Sequence, residues 1–352
     1  MKRIAALDYL RFIAAISVVC FHYFVWGIVG GKISSIDYIQ DIVRYAKYGY
    51  LGVDLFFLIS GYVIFFSAVN RSPEQFAVSR AVRLYPAYVT SVLFTSFFAF
   101  FWGGDKMHVY LNQILANLIM YQPLHRHPFV DGVYWTLMYE INFYLMVFVL
   151  LFIGLSRHLN TLFKLWPFLF LIAKLNGWDG LPLLGGYYCY FAAGALFALS
   201  SAKRDYIAFI GIGICFWLSI DFNLHLLYTD MNTSTIFFSK YWVAFLITLF
   251  YLGFFLISFP KIASLQLPAS RILGGLTYPI YLIHAHFGYM FISHFADQNN
   301  RLNIYLLTIS IVLLISLFIH RAIEIRFGSF WKSFFEIIFG RPIFFVRNIL
   351  FQ

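Results

Sequence analysis

Ten apolar runs, each long enough to approach the thickness of a bilayer, dominate this chain: residues 7–29, 50–69, 87–103, 132–154, 163–178, 183–200, 206–221, 240–259, 274–294 and 302–321. A helix rises about 1.5 Å per residue, so roughly 20 apolar residues cross a hydrocarbon core of about 30 Å. Inside lipid the backbone finds no water, and only helices and closed barrels satisfy their own N–H and C=O groups. Barrel strands would alternate apolar and polar residues. These runs do not alternate. The expected fold is all-α: a polytopic membrane protein of about ten transmembrane helices, one domain over residues 1–352. Composition argues the same way. With 62% hydrophobic and 11% charged residues, the chain has too few polar side chains to coat a soluble domain.

The net charge of +10 could point to nucleic acid, but the basic residues are scattered through short loops between apolar runs, as topology signals are. No nucleic-acid partner is expected. A cytoplasmic N-terminus places 17 of the 25 Lys and Arg residues inside and 8 outside, which satisfies the positive-inside rule and puts both termini in the cytoplasm. Residues 111–123 are too short to span and read as an interfacial or re-entrant piece of a longer loop. Residues 322–352, with Phe, Ile and Trp among Lys and Arg, read as an amphipathic cytoplasmic tail. Three cysteines, all within apolar runs, give neither a disulfide framework nor a zinc spacing. The first run carries Asp8 and Arg11 and has no small-residue cleavage pattern, so it reads as a retained helix rather than a signal peptide. Two sequons, Asn70-Arg-Ser72 and Asn232-Thr-Ser234, occur at chance level.

Ionisable groups within a membrane are costly, and each is a candidate functional residue. Arg11 and His22 are 11 residues apart, so they share a helix face about 16 Å apart along the axis. Asp8 lies on that face too, and an Asp8–Arg11 ion pair with a hydrogen-bonded histidine is the purely structural alternative. Asp54 enters the second run from the outer side and shares a face with Gly61. Arg80 and Arg83, at i and i+3 in a loop over 71–86, suit a phosphate or pyrophosphate, because guanidinium binds oxyanions through two parallel hydrogen bonds. Ordinary positive-inside charge would look the same. Glu140 sits about 12 Å deep in the fourth run, with Tyr144 within reach at i+4. Tyr278, Tyr281 and His284, spaced by three, form one polar stripe in the ninth. His284-x-His286 does not share a face, and no metal site is expected.

Five ordered motifs then carry a resemblance. They are Arg11 with His22; Leu51-Gly-Val-Asp54-Leu-Phe-Phe-Leu-Ile-Ser-Gly61-Tyr62; Arg80-x-x-Arg83-Leu-Tyr-Pro86; Trp135-Thr-Leu-Met-Tyr-Glu140-x-x-Phe-Tyr144; and Thr277-Tyr-Pro-Ile-Tyr-Leu-Ile-His284. In this order, over essentially the whole chain, the set resembles the acyltransferase-3 family of integral membrane acyltransferases. The resemblance implies a ten-helix core and transfer of an acyl group, most often acetyl from acetyl-CoA, to surface glycans and other acceptors. It also implies a catalytic Arg11–His22 pair and a donor-facing Arg80-x-x-Arg83. The Ile-Glu-x-Pro that often closes the family's last helix is here Ile323-Glu324-Ile-Arg326, without the proline.

The expected activity is O-acetyl transfer to a cell-surface polysaccharide or its lipid-linked precursor, in a bacterial inner membrane. CoA phosphates would meet Arg80, Arg83 and Arg11. His22 would act as general base or carry the acyl group, Asp54 or Glu140 would orient it, and Tyr281 or His284 would line the channel or donate to the oxyanion. The alternative from another class is a transporter or flippase without covalent chemistry, whose repeat symmetry and broken helices the sequence does not display. A glycan polymerase would place larger catalytic loops outside than 104–131.

Overall fold

In a computed structural model, which describes residues 3–69, 71–202, 205–231 and 236–350, the chain is helical almost throughout, with no strand among the described residues. Lys2, Lys203 and Arg204 of the charge count, and Asn70 and Asn232-Thr-Ser234 of the sequons, lie outside them. Among the described residues, ten long helices follow one another: α1 (Ala5–Val29), α2 (Gln40–Val69), α3 (Pro73–Trp102), α4 (Gly132–Phe152), α5 (Leu159–Leu175), α6 (Tyr188–Ala202), α7 (Tyr206–Thr229), α8 (Lys240–Ile257), α9 (Ser270–Phe295) and α10 (Arg301–Ile325). Among the described residues, α1, α2, α3, α4, α7, α8 and α10 are long and apolar enough to cross a membrane. Helices α5 and α6 are shorter, at 17 and 15 residues, and α9 is long but carries three histidines and three tyrosines.

Helix α9 is the centre of the bundle: every residue from Gly274 to Met290 is buried. It packs against α1, α3 and α10. Helices α2 and α6 cross so closely that a methyl group at Gly61 would overlap the Phe191 carbonyl, and one at Gly194 the Leu58 carbonyl. Small residues of this kind let membrane helices bring their backbones into contact.

Two differences from the sequence reading matter for the site. The expected loop 71–86 is helical from Pro73. The Ser72 hydroxyl accepts a hydrogen bond from the Gln75 backbone N–H, the Gln75 side-chain oxygen accepts one from the Ser72 backbone N–H, and Pro73 stands at the first helical position. This reciprocal cap starts a 30-residue helix and puts Arg80 and Arg83 on one face of it. Helix α1 changes pitch at His22, where a π-helical turn runs His22–Trp26. Such turns insert a residue into the helix and are frequent at functional sites.

The loop after α3 holds short helices Gly104–Met107 and Leu111–Asn117. After α10 come α11 (Gly328–Phe335) and α12 (Arg341–Leu350). Phe335 is buried against Val78 and Ala81 of α3, and Arg347 reaches Glu74 at 3.0 Å. The tail therefore lies along the half of α3 that bears the two arginines.

Candidate active site

Arg11, Arg80, Arg83, Glu140, Tyr144, Tyr278 and Tyr281 line one cavity of about 230 Å³ between α1, α2, α3, α4 and α9. The i, i+3 spacing on α3 aims both of its guanidiniums inward. Arg80 lies 5.7 Å from the centre of the Tyr144 ring, and Arg83 5.4 Å from that of Tyr278. Arg83 also meets Glu324 at 3.6 Å, and Glu324 accepts from His320 at 2.6 Å. Among the described residues neither Arg11 nor Arg80 has a carboxylate within salt-bridge distance; Asp8, whose pairing with Arg11 was the purely structural alternative, instead pairs with Arg3 at 2.6 Å. Glu140 accepts hydrogen bonds from Tyr144 and, at 3.2 Å, from Ser60. The cavity thus gathers three guanidiniums around one carboxylate. It carries a surplus of positive charge in a low-dielectric setting, where an oxyanion is the complementary ligand.

His22 stands outside that lining, on the same helix as Arg11. Its Nδ1 is 2.9 Å from the Val18 carbonyl and 3.1 Å from Nε2 of His284. The two rings meet edge to face, centroids 4.8 Å apart. His284 is fully buried, and its Nδ1 lies 2.8 Å from the Tyr281 carbonyl and 3.1 Å from that of Ile280. The stripe on α9 therefore bridges the two places. Tyr278 and Tyr281 face the cavity, and His284, one turn on, faces His22. Tyr281 is held by Thr136 at 2.8 Å and by the Val133 carbonyl at 3.2 Å.

Neither Asp54 nor Glu140 is among the hydrogen-bond partners of His22 in the described residues. Glu140 belongs to the arginine cavity. Asp54 is buried beside Tyr190 of α6 and Asn223 of α7, which themselves bond at 2.8 Å.

Beyond His284 lies a group that the sequence reading did not bring together. Lys32, in the loop after α1, is 2.7 Å from Nε2 of His286. The Gly132 N–H donates to the same nitrogen at 3.3 Å, and buried Asp131 accepts the His286 backbone N–H at 2.9 Å. Burial lowers the pKa of Lys32, and Asp131 opposes the shift. The only local sequence signal was Asp131-Gly132 ahead of α4, an N-cap pattern that Asp131 fulfils by accepting from Val133. Among the described residues no group of His, Cys, Asp and Glu is arranged to hold a metal ion.

A sequence profile described as an acyltransferase domain, acyltransferase-3, matches residues 4–321. Two curated proteins are similar over shorter stretches. Nodulation protein 10 of Rhizobium leguminosarum bv. viciae is 28% identical over 163 residues, 41% of this chain and 43% of that protein. A protein of Komagataeibacter xylinus, named as a membrane-bound transacylase, BcsY, is 32% identical over 131 residues, 32% of this chain and 33% of that protein. Both matches thus span less than half of the relative. No solved structure matches.

Proposed function

From the premise that this chain belongs to the acyltransferase-3 family and is an integral membrane acyltransferase, we propose that it moves acetyl from cytoplasmic acetyl-CoA to a hydroxyl of a cell-surface polysaccharide or its lipid-linked precursor. The observation that carries this reading is the cavity with three guanidiniums, two of them without a carboxylate partner among the described residues. A diphosphate supplies the missing negative charge, and Arg80 with Arg83 can each bind it through two hydrogen bonds. In this reading the chain crosses a bacterial inner membrane ten times with both termini inside, and donor and acceptor approach from opposite sides. Arg11 and His22 share α1, so the phosphates at one end place the thioester toward the other. His22 takes the proton of the attacking hydroxyl, and general-base assistance of this kind typically contributes about 10²–10⁴-fold. The name of the BcsY relative, a membrane-bound transacylase, supports acyl transfer as the reaction.

The experiment is thioester cleavage by the purified protein in lipid, with free thiol measured after addition of acetyl-CoA and a glycan acceptor. Acetylated glycan and thiol should appear in equal amounts. His22→Gln, which keeps polarity but does not accept a proton near neutral pH, should release neither. A His22→Gln protein that acetylates at the wild-type rate would remove His22 from the chemistry.

A further inference from the structure

Resting on the reading of His22 as base, we infer that His284 is a positioning residue that locks His22 in its Nδ1–H tautomer and leaves Nε2 as the proton acceptor. Backbone carbonyls only accept. His284 Nδ1 is within 3.1 Å of two of them, Ile280 and Tyr281, so it carries the hydrogen. In a neutral imidazole the other nitrogen then accepts, and Nε2 of His284 is the atom that faces His22. His22 Nδ1 therefore meets two acceptors, the Val18 carbonyl at 2.9 Å and His284 Nε2 at 3.1 Å, and must be the N–H. The lone pair of His22 is left on Nε2.

The Val18 carbonyl alone is a weak lock, because it also accepts the His22 backbone N–H. The second acceptor comes from a rigid mount. His284 lies in the fully buried stretch of α9, and the Tyr23 hydroxyl donates to its carbonyl at 2.8 Å. In the reaction, Nε2 of His22 removes the proton of the sugar hydroxyl as its oxygen bonds to the thioester carbonyl carbon. The C–S bond breaks as the tetrahedral species collapses, and the proton passes from Nε2 to the leaving thiolate. During the interval the imidazolium is a stronger donor toward His284 Nε2, so part of its charge is shared with a second imidazole. This is the service that a carboxylate gives to a catalytic histidine elsewhere, supplied here by a neutral group, consistent with a site that neither Asp54 nor Glu140 reaches.

The test uses the full chain labelled with ¹⁵N-histidine in lipid nanodiscs, the His22 signals being assigned from the His22→Gln spectrum. The expected spectrum has His22 Nδ1 of the protonated, pyrrole type and Nε2 of the unprotonated, pyridine type. The reverse assignment overturns the inference, and this readout does not depend on activity, so it separates failure here from failure of His22 as base. His284→Leu should lower kcat by roughly 10–100-fold with the KM for acetyl-CoA unchanged, as loss of a partner that orients a reacting histidine does. His284→Gln, whose amide oxygen can accept from His22 and whose NH₂ can reach the Tyr281 carbonyl, should recover most of kcat and keep the wild-type tautomer. Should His284→Leu fail to fold, the wild-type and His284→Gln spectra decide the matter. A folded His284→Leu enzyme with wild-type kcat overturns the positioning role.

Discussion

Arg80 and Arg83 differ in what already holds them. Arg83 has Glu324 at 3.6 Å, whereas Arg80, among the described residues, has ring faces and the Ser79 hydroxyl at 3.2 Å. A charge-assisted bond to phosphate is worth about 1.5–3 kcal/mol, so Arg80→Ala and Arg83→Ala should each weaken acetyl-CoA binding by roughly ten- to hundredfold in direct titration, with the protein still in the membrane. Arg80→Ala should show the fuller loss, since its guanidinium has no carboxylate to give up when the ligand arrives. Unchanged binding in both would return the pair to topology signals. The histidine is the complementary case: His22→Gln should bind acetyl-CoA normally and transfer nothing, read by titration and product analysis on the same preparation. A Gln variant that loses donor binding as well would place His22 in the donor site instead.

At the level of elements, the crossing of α2 and α6 leaves no room for a side chain. Gly194→Ala should cost about 1–3 kcal/mol, seen as a lowered thermal midpoint in detergent, because the new methyl meets backbone rather than a side chain that can swing away. An unchanged midpoint would mean the two helices are not held at this distance. Much of what elements do was legible in the sequence. The positions of all ten long helices follow from apolar runs, and the spacing of Tyr278, Tyr281 and His284 foretold one stripe. The start of α3 was written in Ser72-Pro-Glu-Gln75 yet reads as loop by composition, since the first turns of a helix at the water boundary are polar and the apolar run begins later. The sorting of carboxylates was not legible. Which way α2 rotates Asp54, toward α1 or toward α6 and α7, depends on how whole helices dock, and no local pattern encodes that. Lys32 and Asp131 join His286 across 254 and 155 residues of chain, and only the folded bundle makes those contacts.

For the molecule as a whole, sidedness is the property on which the proposed reaction depends. A single cysteine at position 75, beside the start of α3, should label only from the cytoplasm, and one at 125, in the loop before α4, only from outside, in intact cells with impermeant maleimide. The opposite pattern would exchange donor and acceptor sides. The cavity between the helices adds a consequence for ionic conditions. Its three guanidiniums line a space also walled by Phe56, Phe57, Val63 and Leu137. Charges at a protein surface fade over about 8 Å at physiological ionic strength, but buried ones are screened far less. Added salt should therefore slow the arrival of acetyl-CoA, which is guided by the outer field, and leave its departure nearly untouched. Stopped-flow binding between low and high sodium chloride would show this as a falling on-rate with a level off-rate. A donor held by loop lysines and arginines in open water would instead leave faster with every increment of salt.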